Sequence, residues 1–166
     1  MRRRLRRGVP AAVAAIICAL TLGPATVVGA SSSPMTADLD GRPIALSEVA
    51  KHSCHDIDYP RIHCFATQAA RDASAAPLLA SSSATYVIVW EDASYAGSSL
   101  IISQDYTVLA TLGWNDRISS YKAQNSLTGR FWTDWFYFGT AYYFCCNQQV
   151  PLLGVYNDTF SSVQHL

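Results

Sequence analysis

From Ala84 onward, apolar and aromatic residues alternate with small or polar ones, and turn residues recur between the alternating runs. Val87-Ile88-Val89-Trp90 and Gly129-Arg130-Phe131-Trp132 are short runs that end on an aromatic. Segments 99–103 and 141–145 carry apolar or aromatic side chains at every second position. Segments 120–123 and 162–165 are shorter versions of the same pattern. A period of two with β-branched and aromatic enrichment predicts half-buried strands. Of 19 Trp, Tyr and Phe residues, 17 follow Ser83, so the strand-forming region is sharply bounded; only Tyr59 and Phe65 precede it.

The region before Ala84 is patterned differently. Residues 31–83 are rich in Ala, Ser and Asp. The Ala-rich stretch 66–80 predicts a helix that Pro77 should interrupt, because proline lacks the N–H for the helical ladder. Ser81-Ser82-Ser83 reads as a linker. At the start, five arginines within Met1–Arg7 precede the apolar run Ala11 to Leu20, and Val28-Gly29-Ala30 follows with small residues. That order predicts a cleaved secretory signal peptide over 1–30. The apolar run is shorter than the roughly 20 residues of a membrane span, so no span is expected.

The strand region repeats itself. At an offset of 42 residues, Trp90 falls on Trp132, Asp92 on Asp134, Tyr95 on Tyr137 and Gly97 on Gly139. Further along, Trp114 falls on Tyr156, Asn115-Asp116 on Asn157-Asp158, and Ser119-Ser120 on Ser161-Ser162. On sequence the register reads as one ungapped alignment. Each repeat predicts a strand, a tight turn with glycine at a positive-φ position, a second strand, a long connection and a closing strand. Four strands per repeat make eight in about 80 residues, a size that suits two packed antiparallel sheets with Greek-key crossings. The expected fold is therefore all-β, an eight-stranded Greek-key sandwich over 84–166, with repeats at about 86–125 and 128–166. An N-terminal extension of mixed or irregular structure, 31–83, precedes it.

Charge and cysteines narrow the function. Of 12 Lys and Arg, five lie in the leader, which leaves seven against 12 Asp and Glu and a mature charge near −5. A nucleic-acid or anionic-membrane partner is disfavoured by that sign, and a cation is mildly favoured. Four cysteines remain after the leader, Cys54, Cys64, Cys145 and Cys146, and an even count in an exported chain points to disulfides. Three pairings are open. Adjacent on a strand, Cys145 and Cys146 would point to opposite faces, so a bond between them would strain it. Cross-links from 54 and 64 to 145 and 146 would pin the extension onto the domain, and a Cys54–Cys64 bridge is preferred.

Two hexamers carry candidate chemistry: Asn115-Asp116-Arg117-Ile118-Ser119-Ser120 and Asn157-Asp158-Thr159-Phe160-Ser161-Ser162. Each lies 18 residues beyond its matched glycine. Together with aromatic-x4-aromatic-x-Gly they resemble the signature of the βγ-crystallin superfamily, whose microbial calcium-binding members carry Asn/Asp-Asn/Asp-x-x-Ser/Thr-Ser. The donors fit a hard cation that takes six to eight oxygens, and no soft ligand is offered. The resemblance implies two Ca2+ sites shared between the repeats. On that pattern Asp116 and Asp158 give side-chain oxygens, and Ser119 and Ser161 give hydroxyls that reach the ion of the other repeat. Arg117 and Thr159 give backbone carbonyls, as do Glu91 and Thr133 after the strand-ending aromatics. Asn115 and Asn157 are either ligands or Asx-turn formers. One carboxylate per ion implies affinity in the micromolar to millimolar range. The charge of Arg117 should weaken its site, so occupancy should be unequal.

The favoured reading is a secreted, monomeric calcium-binding module and not an enzyme, since no acid–base or nucleophile set stands out. A secreted peptidase inhibitor of similar fold remains an alternative, as does a carbohydrate- or surface-binding module built on Trp135, Phe136 and their neighbours. An extracellular protein or glycan would then be a further partner. The cluster His52, Cys54, His55, His63 and Cys64 could bind zinc, but its spacing matches no familiar zinc pattern.

Overall fold

The computed structural model describes residues 33–81 and 83–166, and the expected signal segment lies outside the described residues. In chain order the elements are β1 (Thr36–Leu39), β2 (Arg42–Ile44), a 3-10 segment (Leu46–Lys51), β3 (Ser53–His55), β4 (Arg61–Phe65) and helix α1 (Gln68–Ser81). The repeats follow: β5 (Tyr86–Asp92), β6 (Ala96–Ile102), β7 (Ser120–Gln124), then β8 (Gly129–Trp132), β9 (Ala141–Phe144), β10 (Gln149–Val150) and β11 (Ser162–His165). They build two sheets, one in the order β10-β7-β5-β6-β3-β4-β1-β2 and the other β11-β8-β9.

The repeats exchange strands. β10 belongs to the second repeat by sequence but pairs with β7 of the first, with Val150 opposite Tyr121. Reciprocally, Tyr106 of the first repeat forms an isolated bridge to Val163 in β11 of the second. That bridge falls in the stretch read from sequence as a long connection, and the repeats hold seven strands, β5 to β11, and this bridge where eight strands were expected. It also corrects the ungapped register. Tyr106 is the counterpart of Val150, 44 residues on, whereas the flanking segments keep the offset of 42. Two extra residues in the second repeat's turn are offset by two fewer before its hexamer. The sequence comparison missed this because its landmark residues all lie outside the shifted stretch.

Between the sheets the core is aromatic. Tyr121 meets Phe131 at 5.4 Å between ring centroids, Phe131 meets Phe144 at 4.6 Å and Phe131 meets Phe160 at 5.0 Å. Val87, Val89, Leu100 and Ile102 fill the space on the first repeat's side. Trp114 and Phe160, one next to the first hexamer and one inside the second, are fully buried. The hexamer loops are therefore anchored by their own apolar residues.

The extension is ordered and contributes to the larger sheet. β3 runs parallel to β6, pairing Ser53 with Ser99 and His55 with Ile101. The four-residue β9, which occupies the equivalent place in the second repeat, is an edge. Helix α1 starts on Thr67, whose hydroxyl accepts the Ala70 N–H at 3.2 Å, an N-cap bond. Pro77 does not end it. Ala73, whose carbonyl Pro77 cannot engage, is exposed, so water can satisfy that oxygen. From α1 the buried Arg71 donates to Ser99 Oγ at 2.5 Å and to Asp72. Gln68 accepts the indole N–H of Trp90 at 3.0 Å.

Two features tie the extension together and to the repeats. Cys54 and Cys64 lie directly opposite on β3 and β4 and form a disulfide. Asp56, fully buried after β3, accepts bonds from Ser103 N at 2.7 Å, Ser103 Oγ at 2.7 Å and Tyr106 Oη at 2.9 Å. It thus binds the extension to the first repeat at the residue that crosses to β11. Burial, partly offset by the Ser103 and Tyr106 donors, pushes its carboxyl up to about 6.

Two outcomes follow. Closing a loop of about ten residues is worth about 2–3 kcal/mol, so the Cys54→Ser/Cys64→Ser double variant should lose about that much unfolding free energy in urea titration. A raised folded-state carboxyl favours the protonated form in the native state. The Asp56 contribution should be complete below the unfolded value near 3.8 and lost as pH rises through about 6. Between pH 4 and pH 7 the wild type should lose on the order of 2–3 kcal/mol relative to Asp56→Asn, measured by denaturant melts at each pH.

Candidate metal centre

Each site is built from a folded hairpin and a hexamer loop. At the hairpin ends Trp90 and Tyr95 pack edge to face at 5.2 Å, over a turn in which Ser94 and Tyr95 have φ of 58° and 65°. Phe136 and Tyr137 repeat these angles at 58° and 65°. Gly97 and Gly139 follow at φ of 74° and 77°. A Cβ on Gly139 would come within 2.3 Å of Thr133 Oγ1 and 2.7 Å of Asp134 Oδ2, so the fold has no space for another residue there. The last serine of each hexamer pins its own hairpin. Ser120 Oγ donates to Asp92 O at 2.7 Å and accepts Tyr95 N at 3.1 Å. Ser162 Oγ does the same with Asp134 O at 2.7 Å and Tyr137 N at 3.2 Å. The other serine of each hexamer is thereby left for a different task.

That task lies across the pseudo-two-fold. Ser119 Oγ donates to Asp158 Oδ1 at 3.0 Å, and Ser161 Oγ donates to Asp116 Oδ1 at 3.3 Å. The backbone crosses in parallel: Asp158 N bonds Ile118 O at 3.1 Å and Asp116 N bonds Phe160 O at 2.9 Å. Ser119 N reaches Trp90 O at 2.9 Å and Ser161 N reaches Trp132 O at 2.8 Å, which sets each loop beside the residue after the strand-ending aromatic. Asp116 and Asp158 sit in the left-handed region, at φ of 53° and 55°. Non-glycine residues held there cost on the order of 1 kcal/mol, and such strain gathers at binding sites.

The sequence-predicted residues fall into two halves. In one, Glu91, Ser119 and Asp158 line a cleft of about 600 Å³ together with Asp92, Asp116, Arg117 and Asn157. The other half brings Ser161 to Asp116. Thr133 follows Trp132 on β8, as Glu91 follows Trp90 on β5. Thr159 lies between Asp158 and the buried Phe160, and its hydroxyl donates to Tyr156 O at 2.8 Å. The asparagines are not in Asx turns of their own. Asn115 Nδ2 donates to Asp116 Oδ2 at 2.7 Å and Asn157 Nδ2 to Asp158 Oδ2 at 2.6 Å, holding each carboxylate by the oxygen that does not face the serine. Trp135 Nε1 in turn donates to Asn115 Oδ1 at 2.8 Å.

The donor set can be tested against a calcium ion. Two oxygens about 2.4 Å from an ion and 3.0–3.3 Å apart subtend about 80–90°, within the range for six to eight ligands. The Ser–Asp pairs therefore have the spacing of adjacent ligands, and all their atoms are oxygen. Two contacts at the site were not legible in the sequence. The side chain of Glu91 pairs with the Arg117 guanidinium, and Ala50 O in the extension accepts from the same guanidinium at 3.4 Å. The Glu91 side chain follows a recognisable landmark, whereas nothing in the extension marks Ala50.

The cysteine and histidine cluster resolves otherwise. Its two sulfurs are in the Cys54–Cys64 disulfide. His63 lies between Asp38, at 2.8 Å, and Asp58, at 3.4 Å. Burial, reinforced by the neighbouring His63 and Arg71, drops the His55 imidazole to about 4, so it is neutral. Among the described residues no three His, Cys, Asp or Glu side chains converge on a common point. Cys145 and Cys146 are free thiols in a turn after β9, which ends at Phe144 one residue earlier than expected. The second hairpin leaves Trp135, Phe136 and Phe138 exposed, whereas Gln68 of α1 donates to Tyr95 O and Gly97 O on the first.

No family model and no curated protein matches this chain. Solved structures do. A beta gamma crystallin from Ciona intestinalis is 26% identical, with 49% of this chain and 99% of that one covered and a TM-score of 0.46. An archaeal betagamma-crystallin is 26% identical over 50% of this chain and 99% of its own, with a TM-score of 0.43. A betagamma-crystallin domain from Clostridium beijerinckii is 26% identical over 48% and 95%, with a TM-score of 0.43. Over about half its length, this chain matches βγ-crystallin structures from an animal and from microbes.

Proposed function

We propose that residues 84–166 form a calcium-binding βγ-crystallin-type module of an exported protein, with two ions stabilising the fold by bridging the repeats. The reciprocal Ser119–Asp158 and Ser161–Asp116 pairs carry this reading. Each pair takes one oxygen from each repeat, so an ion bound there would be held only when both repeats are folded together. Calcium would supply a divalent positive charge at the crossing point. The chain's own residues do the rest: Ser120 and Ser162 fix the hairpins, and Asn115 and Asn157 orient the carboxylates. Glu91, Arg117, Thr133 and Thr159 would add backbone carbonyls. Export is supported by the basic, apolar and small-residue order of 1–30, and the module is read as a non-enzymatic monomer.

Binding to the folded state alone raises stability by RT ln(1 + [L]/Kd), about 2.7 kcal/mol at one hundred times Kd. Millimolar calcium should therefore raise the melting temperature by several degrees. Asp116→Ala and Asp158→Ala should each remove one of two binding events in isothermal titration, with affinities between micromolar and millimolar. An unmoved melting temperature, or nanomolar binding, would contradict the reading.

A further inference from the structure

Besides the Trp135–Asn115 bond, for which the first repeat has only Ala93, the two halves of the centre part from the pseudo-two-fold at the third residue of the hexamers. In the second, Thr159 turns back into its own loop and bonds Tyr156 O. In the first, Arg117 leaves its loop. Its Nη2 donates to Ala50 O, in the 3-10 segment of the extension, and to the Glu91 carboxylate. Arg117 and Glu91 both line the cleft that holds Ser119 and Asp158. Asp116 lines this cleft too, but it is here that Ser119 meets Asp158 of the opposite hexamer, so the cationic head stands at that half and not only at the site of its own hexamer, where the sequence placed its effect.

The same 3-10 segment seats on the approach to the first hexamer. Gly113, at φ 73°, lies so close to it that a Cβ would come within 2.5 Å of Ser47 O and 3.3 Å of Ala50 Cβ. Ala50 and Val49 are buried in this seam. The extension thus holds both the backbone before Asn115-Asp116 and the side chain after it. The second hexamer has neither contact: Gly113 has no glycine at the matching position, and Thr159 is too short to reach out.

We propose that Arg117, latched between Ala50 O and Glu91, is the residue that sets the two calcium sites apart, and that through it the extension attenuates the Glu91–Ser119–Asp158 site. This rests on the calcium reading of the centre. A guanidinium beside the cleft repels a divalent ion. By pairing with Glu91 it also occupies a carboxylate that lines the same cleft. When calcium enters, the latch must shift or be screened, so the 3-10 segment of the extension senses an ion it does not touch.

Calcium titration of the full mature chain with Arg117→Thr, Arg117→Lys and Glu91→Gln tests this, with the amide signals of residues 46–51 followed by NMR. Arg117→Thr should tighten one of the two sites about tenfold or more and leave the other within twofold. Arg117→Lys, which keeps the charge, should stay near wild type in affinity. Glu91→Gln, which leaves the guanidinium uncompensated, should weaken the same site several-fold. Amides 46–51 should shift on calcium addition in the wild type and stay still in Arg117→Thr. A wild type that binds no calcium would sink the functional reading itself. Two-site binding unchanged by Arg117→Thr, or a wild type whose 46–51 amides ignore bound calcium, would overturn the latch alone.

Discussion

Everything in the repeat region depends on reciprocal crossing. Each repeat gives a segment to the other's sheet, Tyr106 to β11 and β10 to β7. Each also sends a hexamer serine to the other's aspartate. Even the hairpin tips take part, since Ser94 N bonds Pro151 O and Phe136 N bonds Thr107 O, both at 2.7 Å. One repeat alone would leave its aromatic inner face open and its crossing segment unpaired, so the pair is the folding unit. The oxygen-lined centre sits at the crossing because both hexamers must be there to close the connections.

Division of labour among neighbouring residues explains the hexamer's composition. One serine of each pair holds its own hairpin and the other faces the opposite repeat. The asparagine holds the aspartate, and the aspartate accepts a left-handed backbone that few residues tolerate. A buried apolar residue, Ile118 or Phe160, anchors each loop between these polar ones. The polar chemistry is presented at the surface by a loop whose apolar position is inside the core.

Symmetry stops at the extension. β3 and α1 cover the edge and hairpin of the first repeat, while the corresponding parts of the second repeat are uncovered. The contrast shows in matched residues. The Trp90 indole is bonded to Gln68, whereas the buried indole nitrogen of Trp132 has no hydrogen-bond partner. Asp56 and Arg71 are ionisable side chains buried at this junction, and each is hydrogen-bonded to two polar residues, as buried polar groups require.

The sequence alone determined the two repeats, their first, second and closing strands, the positive-φ glycines and the oxygen-rich hexamers. These are local properties: period-two alternation, a residue without a Cβ, and polar side chains within six positions of one another. Tertiary structure decided what needs distant residues to meet. The strand exchange shifted the Tyr106–Val150 register by two. The strands of the extension within 36–65, which carry no strong pattern, became part of a sheet because the edge of β6 offered them unpaired backbone groups. The contact between Arg117 and Ala50 spans 67 residues and uses a main-chain carbonyl, which every residue possesses and no sequence motif can single out.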